Sequence, residues 1–415
     1  MCGIVGYIGK KQAFPIIING LKRLEYRGYD SAGIALLSDS NKLNIYKKKG
    51  KVVNLEEEAK GNDISGNVGI GHTRWATHGE ANDVNAHPHF NTNGDIAVIH
   101  NGIIENYYSL KAELQQRGYV FRSETDTEVL VHLIDDIYKN AKVELSEAVR
   151  LALNEVIGAY AIVVISKSNP DKLITAKLSS PMVIGFGENE LFVASDGSPL
   201  IEHTKKVSYL EDNEMAILNV NGSVEVRSIK DNSVHVPYIN ELQLKLEQIE
   251  KGGFEHFMMK EIHEQPSAIK NSIRGRIDSQ QFWVNLGGVR EYEQRFRNAQ
   301  KITIVACGTS WHSGLIGEYL IEELARINVE VEYASEFRYR NPIITENDVV
   351  IAISQSGETA DTRAALELAK SKGALTFGIC NVVGSSISRM TEAGSYTHAG
   401  PEIGVASTKA FTTQV

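Results

Sequence analysis

Short apolar segments separated by turns dominate the first part of the chain. Segments such as GIVGYIG, DIAVIHNG and AYAIVVIS are rich in apolar and β-branched residues, which favours strands. Helical spacing of apolar residues occurs at about residues 11–25, 104–117, 125–140 and 144–156. Strands mixed with a few helices predict an α+β domain over residues 1–240, with sheets covered by helices.

The pattern changes twice after this point. Residues 241–289 are charged, helix-periodic and broken by Gly252-Gly253 and Pro266, which predicts a linker followed by docking helices. Over residues 290–415, apolar strands such as KITIVA and DVVIAIS alternate with helices such as RAALELAKS. This alternation predicts an α/β doubly wound domain with a parallel sheet. We expect EVEYASEF to be one of its strands.

Composition and charge narrow the function class. The chain has 415 residues, 42% of them hydrophobic and 23% charged, which is the balance of a globular protein. Its net charge of −9 argues against nucleic acid as the main partner. No apolar run approaches the roughly 20 residues of a membrane span, and the start does not resemble a secretory signal, so we expect a cytoplasmic protein. The three cysteines, Cys2, Cys307 and Cys380, are too scattered for a disulfide framework.

Two turns rich in Ser, Thr and Gly follow strands of the second domain, in IVACGTSWHSG and IAISQSGETAD. Each turn precedes a helix whose free N–H groups favour an anion, and Ser354, Ser356, Thr359 and Ser310 add hydroxyl donors. Ordinary helix capping explains either turn alone. Two such turns at equivalent points of successive βα units favour a phosphate site at the carboxyl edge of the sheet.

Cys2 follows the initiator methionine directly. It is either a packed residue that opens the first strand or, after removal of Met1, a nucleophile with its own base. A free α-amine has a pKa of about 8 and can accept the thiol proton.

Three further residue sets suit acyl transfer from an amino acid. Asn101-Gly102 can offer an amide and a backbone N–H to an oxyanion, although Asn-Gly is also a common hairpin turn. Arg74 can bind a carboxylate in a bidentate manner, and Asp126 can pair with an ammonium. A surface arginine and a helix N-cap are the alternatives for these two residues.

The segments CGIVGY, YRGYDSAGIA, GHTRWATHG, HNGIIEN and SETDTE together resemble the class II glutamine amidotransferases, which are N-terminal-nucleophile enzymes. The resemblance implies a sandwich of stacked antiparallel sheets with helices, in which the Cys2 thiolate attacks the glutamine amide and releases ammonia. It also implies an oxyanion hole at Asn101 and Gly102. The residues that the resemblance places around glutamine are Arg74, Trp75, Thr77, His78 and Asp126, with Trp75 gating the ammonia path and Arg27 in a segment that organises the site.

The run SQSGETADT resembles the sugar isomerase (SIS) domain, and both halves together resemble the glutamine–fructose-6-phosphate aminotransferases. The resemblance implies conversion of fructose 6-phosphate and glutamine to glucosamine 6-phosphate and glutamate, through channelled ammonia, in a homodimer without metal or organic cofactor. The residues implied around the sugar phosphate are Ser310, Ser354, Gln355, Ser356, Thr359, Val405 and Ser407.

Other interpretations remain. A different acceptor, as in amidophosphoribosyltransferase or asparagine synthetase, would need a pyrophosphate or ATP loop after residue 240, and SQSGETADT argues against both. A regulatory sugar-phosphate-binding module with a degenerate first domain conflicts with the intact Cys2, Arg74, Asn101 and Asp126. A metal site among His72, His78, His87 and His89 lacks a completing ligand.

The family carries a second sugar isomerase half beyond ASTKAFTTQV. That half and the C-terminal tail after it supply the ring-opening histidine, the isomerisation glutamate and the lysine that engages the open sugar. We therefore expect this chain to support glutaminase chemistry without complete synthase turnover.

Overall fold

A computed structural model describes residues 2–76, 79–242, 250–278, 280 and 283–415 of the chain. The chain divides into two compact units, Met1–Leu246 and Glu247–Val415. Thr77 and His78, which the resemblance places beside glutamine, lie outside the described residues.

The first unit is built on two antiparallel sheets. Its strands are β1 (Gly3–Ile8), β2 (Ser31–Leu37), β3 (Leu43–Lys49), β4 (Val68–Arg74), β5 (His89–Phe90), β6 (Ile96–Ile104), β7 (Gly158–Ser166), β8 (Lys172–Leu178), β9 (Val183–Phe186), β10 (Leu191–Ala194), β11 (Lys206–Tyr209), β12 (Glu214–Asn219), β13 (Val224–Ser228), β14 (Val234–His235) and β15 (Asn240–Glu241). One sheet has eight strands in the order β15-β11-β9-β10-β1-β4-β2-β3, and the other has seven in the order β14-β13-β12-β8-β7-β6-β5.

Alternation along the strands explains why the two sheets stack. On β6, Ala97 and Ile99 face a core shared with Ile4 and Ile70 of the other sheet, whereas Ile96 and Val98 face the helices. Such a period of two is what a sheet covered on both faces requires. The helices that cover the outer faces are α1 (Ala13–Leu24), α2 (Val52–Ala59), α3 (Tyr107–Gln116), α4 (Thr127–Ala141) and α5 (Leu145–Glu155).

The second unit contains a small hairpin and a parallel five-stranded sheet in the order β19-β18-β20-β21-β22. These strands are β16 (Ile277–Asp278), β17 (Trp283–Val284), β18 (Ile302–Ala306), β19 (Val329–Tyr333), β20 (Val349–Ser354), β21 (Leu375–Cys380) and β22 (Ala393–Tyr396). The helices are α6 (Phe257–Ile273), α7 (Gly287–Glu291), α8 (Glu293–Arg297), α9 (Thr309–Ala325), α10 (Ala334–Tyr339), α11 (Ala360–Ser371), α12 (Ser386–Met390) and α13 (Lys409–Gln414). Buried side chains of β20 pack alternately on the two faces, with Val350 on one and Ile351 on the other.

The predicted fold class is confirmed in both units, since stacked antiparallel sheets precede a parallel α/β sheet. One segment differs from the prediction. EVEYASEF is a strand only as far as Tyr333, and helix α10 begins at Ala334, because the parallel pairing with β18 ends there. In the part of the chain that the structure describes, no helix is both long and apolar enough to cross a membrane.

Candidate active site

Cys2 stands at the head of β1, which lies between β4 and β10 inside the eight-stranded sheet. The thiol Sγ accepts a hydrogen bond of 3.1 Å from the backbone N–H of Trp75, just after β4. Because β1 pairs on both sides, the start of the chain is fixed where a terminus would otherwise fray. Burial raises the pKa of the Cys2 thiol, and the Trp75 N–H and the positive charge of Arg74 oppose that rise only in part. The resting group is therefore the thiol, and a base must take its proton before it can attack.

Asn101, on β6 of the other sheet, reaches Cys2 across the stacked sheets. Its Nδ2 donates to the carbonyl oxygen of Cys2 at 2.9 Å, and its Oδ1 accepts from His72 Nε2 at 2.9 Å. Burial lowers the pKa of His72 to about 3, so the ring is neutral at pH 7. His72 Nε2 also lies 3.1 Å from the carbonyl oxygen of His100, which can only accept. The single ring proton therefore sits on Nε2, and this fixes the amide of Asn101 with its N–H groups towards Cys2.

Gly102 has a backbone conformation that a side chain would not tolerate. Its φ is +139°, and a Cβ at this position would lie 1.9 Å from the carbonyl oxygen of Ala159 on β7. Asn101 and Gly102 are not a hairpin turn, because they continue strand β6 and pair with Ala161 and Tyr160. The hairpin interpretation of this dipeptide is therefore wrong.

Cys2, Arg74 and Asp126 line one pocket. Arg74 is the last residue of β4 and is buried. Burial lowers the pKa of its guanidinium, and the negative charges of Cys2 and Asp126 raise that pKa by a smaller amount. Asp126 precedes α4, yet its carboxylate does not cap that helix: Oδ2 accepts from the N–H of Ile104 at 2.8 Å. The N-cap and surface-arginine alternatives are thus both wrong for these residues. The residues that line the pocket are Cys2, Arg74, Trp75, His87, His100, Gly102, Thr125, Asp126 and Thr127.

Aromatic and ionic contacts surround this pocket. Trp75 is 43% exposed and contacts Tyr29 edge to face, with ring centroids 5.5 Å apart. Arg27 forms an ion pair with Asp196, which follows β10 closely in the chain. Although the partial burial of Asp196 raises its carboxyl pKa, the charge of Arg27 and hydrogen bonds from Ser198 lower the pKa of Asp196 overall. The segment around Arg27 is thereby held to the strand next to β1.

Four buried histidines beside the pocket form a feature that the sequence did not reveal as a unit. The rings of His72 and His87 lie 4.1 Å apart, and those of His87 and His89 lie 4.8 Å apart. Burial lowers the pKa of all four, the fourth being His100. Thr127 connects two of them, since its Oγ1 lies 3.0 Å from His87 Nε2 and 2.9 Å from His100 Nδ1. Within the described ranges, no group of three or more His, Cys, Asp or Glu side chains could hold a metal ion.

In the second unit, the turn after β20 is tied together by hydroxyl groups. Ser354 Oγ accepts from the N–H of Gly357 at 2.9 Å and lies 3.2 Å from Thr359 Oγ1. Ser356 Oγ accepts from the N–H of Glu358 at 3.2 Å, and Gln355 is half-buried. Gly357 has φ +67°, and a Cβ there would collide with Ser385 Oγ at 1.9 Å. The turn is compact and places the hydroxyl groups of Ser354, Ser356 and Thr359 together at the start of α11.

The turn after β18 lies at the same edge of the sheet, because β18 and β20 are adjacent and parallel. Ser310 is buried there, and its Oγ accepts from Gln414 Nε2 of α13 at 3.1 Å. Ser407 donates to Glu402 Oε2 at 2.8 Å near the other end of α13, and Val405 is 86% exposed. The structure therefore groups Ser310 with the Ser354 turn, whereas a pocket position for Val405 and Ser407 stays a prediction.

Comparison with known proteins gives two domain families. The glutamine amidotransferase domain family matches residues 47–237, and the SIS domain family matches residues 295–415. The first match covers Arg74, Asn101, Gly102 and Asp126 but begins after Cys2.

Whole-chain relatives carry one common name. The chain is 61% identical to glutamine–fructose-6-phosphate aminotransferase (isomerizing) of Bacteroides thetaiotaomicron over 415 residues, covering 100% of this chain and 67% of the relative. It is also 61% identical to the enzyme of the same name from Chlorobaculum tepidum over 419 residues, covering 100% of this chain and 68% of the relative. Among solved structures, one described as the allosteric regulatory enzyme of purine biosynthesis is similar in fold, with TM-score 0.50 and 21% identity over 91% of this chain and 80% of that one.

Proposed function

Because the chain belongs to the glutamine–fructose-6-phosphate aminotransferases, we propose that Cys2 is the nucleophile of its glutamine half-reaction. The family converts fructose 6-phosphate and glutamine into glucosamine 6-phosphate and glutamate. The chain spans about two thirds of the length of these relatives. The main observation that supports the proposal is that Cys2 lines one pocket together with Gly102 and the two charged residues Arg74 and Asp126.

The base for the reaction is the α-amine of Cys2, which removal of Met1 would free. This amine takes the thiol proton as sulfur attacks the amide carbon of glutamine, and the C=O electron pair moves to the oxygen. Collapse of this tetrahedral adduct breaks the C–N bond, and the protonated amine returns its proton so that ammonia leaves. Water then cleaves the thioester, which releases glutamate and restores the thiol. The raised pKa of the buried thiol supports the need for such an adjacent base.

The oxyanion of this adduct needs donors that are already in place. Asn101 Nδ2 points at the Cys2 backbone, and His72 holds that orientation. We infer that the second Nδ2 hydrogen and the N–H of Gly102 bind the oxyanion. The left-handed φ of Gly102 turns its N–H relative to ordinary strand geometry, which supports this assignment.

The α-groups of glutamine suit the two charges of the pocket. Arg74 would bind the α-carboxylate and Asp126 the α-ammonium, with Trp75 beside them. The resemblance adds Thr77 and His78 to this set, and both lie outside the described residues. One Asp126 oxygen accepts from the N–H of Ile104 at 2.8 Å, and the other accepts from Thr127 Oγ1 at 3.5 Å; a carboxylate oxygen has more than one acceptor site, so Asp126 can still pair with an ammonium. Arg74 and Asp126 together select an α-amino acid over a simple amide.

In the second unit, we infer that Ser354, Gln355, Ser356 and Thr359 bind the phosphate of fructose 6-phosphate and that Ser310 contacts the sugar. Two serine-rich turns at one edge of a parallel sheet, each opening a helix, support this assignment. Val405 and Ser407 complete the pocket in this proposal. The resemblance also favours a homodimer, which sedimentation velocity would test.

The experiment compares the wild-type chain with Cys2→Ala and with Cys307→Ala, a control cysteine in the second unit. Each protein receives glutamine, and glutamate release is measured; binding of fructose 6-phosphate is measured separately by calorimetry. We expect Cys2→Ala to lose glutamate release and keep sugar-phosphate binding, while the control keeps both. Glutamate release by Cys2→Ala at the wild-type rate would overturn the proposal.

A further inference from the structure

The two loops that carry the charged residues of the glutamine pocket meet at Asn85. The first contributes the described residues Gly79 and Glu80, which follow Arg74 in the chain; the second, residues 122–126, ends at Asp126. Asn85 belongs to neither loop, and its side chain is buried, with 1% of its surface exposed. The Asn85 side chain lies within hydrogen-bond distance of both loops.

The Asn85 amide uses both of its donor hydrogens and its acceptor on these loops. Nδ2 donates to the carbonyl oxygen of Glu80 at 3.1 Å and to Glu124 Oε2 at 3.0 Å. Oδ1 accepts from the backbone N–H of Glu124 at 3.0 Å. Two donors and one acceptor in this arrangement require a primary amide. An aspartate here would lose both donors and would face the carboxylate of Glu124.

The residues that Asn85 binds are themselves close to the two charged residues. The Glu80 carbonyl that Asn85 binds also accepts from Arg74 Nη1 at 3.2 Å, and the Gly79 carbonyl accepts from Arg74 Nη2 at 3.4 Å. Asp126 lies two residues after Glu124. Its loop is fixed from the other side by Glu128, whose carboxylate accepts from the N–H groups of Arg122 at 2.8 Å and Ser123 at 2.6 Å.

Gly79 shows how closely the loops approach. Its φ is +75°, and a Cβ there would lie 2.8 Å from Asn85 Nδ2 and 3.0 Å from the Cβ of Glu124. The backbone at Gly79 therefore packs directly against the side chains of Asn85 and Glu124. Neither loop can shift without breaking a hydrogen bond to the buried Asn85 side chain, and leaving that amide unsatisfied is costly.

We propose that Asn85 is a positioning residue that sets the separation between Arg74 and Asp126, and so fits the pocket to the α-carboxylate and α-ammonium groups of an amino acid. The proposal rests on the proposed function, since it takes Arg74 and Asp126 as the groups that bind the α-carboxylate and α-ammonium. Asn85 itself does not line the pocket with these residues.

Two reagents that react with Cys2 distinguish a positioning role of Asn85 from a general loss of structure. 6-Diazo-5-oxo-L-norleucine is a glutamine analogue with both α-groups, so its reaction with Cys2 depends on the spacing of Arg74 and Asp126. Iodoacetamide has no α-groups and reports only the accessibility and ionisation of Cys2. Both inactivation rates are measured on the full chain, with KM and kcat for glutamine, in Asn85→Ala and in Asn85→Asp, which keeps the acceptor for the Glu124 N–H.

Asn91 is the matched control. It is also 1% exposed; its Nδ2 donates to Asp135 Oδ1 at 2.8 Å, and its Oδ1 accepts from the N–H groups of Asp95 and Ile96. Asn91→Ala therefore loses a comparable buried network that joins a hairpin to α4 without linking the two loops. Thermal unfolding of all variants shows how much stability each change costs.

For both Asn85 variants, we expect the diazo analogue to react at least about tenfold more slowly and KM for glutamine to rise by about the same factor. The iodoacetamide rate and kcat should change by less than about threefold. Asn91→Ala should match wild type in the ratio of the two reagents. The proposal is overturned if the Asn85 variants keep the wild-type ratio, or if Asn91→Ala changes it equally. A wild-type chain whose Cys2 resists the diazo analogue would instead refute the proposed function.

Discussion

The side-chain amide of Asn101 donates a 2.9 Å hydrogen bond to the backbone carbonyl of Cys2, which joins the two stacked sheets at the start of the chain. His72 sets the direction of this bond, because its Nε2 proton is donated to the amide oxygen. A residue predicted to bind an oxyanion therefore also fixes the proposed nucleophile in place.

Replacing Asn101 by aspartate keeps the size of the side chain and removes its donor hydrogens. We expect kcat for glutamine hydrolysis to fall by about 10²- to 10³-fold, the usual cost of losing one oxyanion donor, with KM changed by less than about threefold. Asn106→Asp is the control, since Asn106 bonds Glu155 and Ile157 instead. Steady-state glutamate release checks this, and a normal kcat in Asn101→Asp would exclude the donor role.

Gly102→Ala should lose stability and activity because its new side chain would collide with the backbone. A Cβ would meet the Ala159 carbonyl at 1.9 Å, and φ +139° is unfavourable for alanine, so strand β6 must shift. We expect a loss of at least about 2 kcal/mol in the free energy of unfolding, together with loss of glutaminase activity. Urea denaturation compares this variant with Gly94→Ala, which also has a positive φ (+68°) but where a Cβ would meet nothing within 4 Å, so that the control isolates the collision. Equal stability of the two variants would contradict the described backbone of β6.

The histidine stack predicts a specific acid sensitivity of the first unit. His72, His87, His89 and His100 have lowered pKa values in the fold, His72 to about 3, whereas unfolded histidine titrates near its usual value. Their stabilising contribution is therefore complete above about pH 6.5 and is lost as pH falls towards the folded values. His72, whose folded pKa is about 3, should add a slope that approaches about 1.4 kcal/mol per pH unit below pH 6.5.

Calorimetric Tm values between pH 7.5 and 5.5 test this slope before most carboxylates titrate. We expect the transition of the first unit to fall in temperature across this window, and His87→Gln to reduce the slope by about one proton. A flat profile would mean that the four rings are not buried as neutral groups.

Ser354→Ala should weaken the binding of fructose 6-phosphate. It removes the acceptor for the Gly357 N–H and the partner of Thr359, and it deletes a hydroxyl proposed to contact phosphate. We expect Kd to rise by about five- to tenfold. Ser371→Ala is the control, because Ser371 is at the far end of α11 and bonds only Leu368 in the described structure. Calorimetric titration measures Kd for fructose 6-phosphate in both variants. Equal affinities would show that Ser354 does not contact the phosphate.

The sequence predicted those parts of the site whose chemistry is visible in single residues. A terminal thiol, an arginine, an aspartate and an Asn-Gly pair each have a limited set of roles, and the structure brings Cys2, Arg74, Gly102 and Asp126 to one pocket. The alternation of apolar residues along the strands was enough to predict stacked layers, because successive side chains of a strand point to opposite faces of its sheet. Helix α2 was not predicted, since its eight residues give too little periodicity.

The supporting residues were not predictable in the same way. His72 and Asn85 act through hydrogen bonds to residues 29 and 39 positions away, and no local spacing encodes such contacts. Their residue types are also common in ordinary structural roles. Only the fold shows that His72 orients Asn101 and that Asn85 joins two loops.

The most direct test of the account is a mass measurement on Cys2 after reaction with 6-diazo-5-oxo-L-norleucine. Chains produced with and without a non-removable residue ahead of Cys2 are treated side by side, digested and mapped. We expect one adduct, on Cys2 of chains that have lost Met1, in proportion to the loss of glutaminase activity, with blocked chains unlabelled and inactive. Labelling at Cys307 or Cys380, or full glutaminase activity in chains with a blocked Cys2 amine, would contradict the proposal that Cys2 is both nucleophile and base.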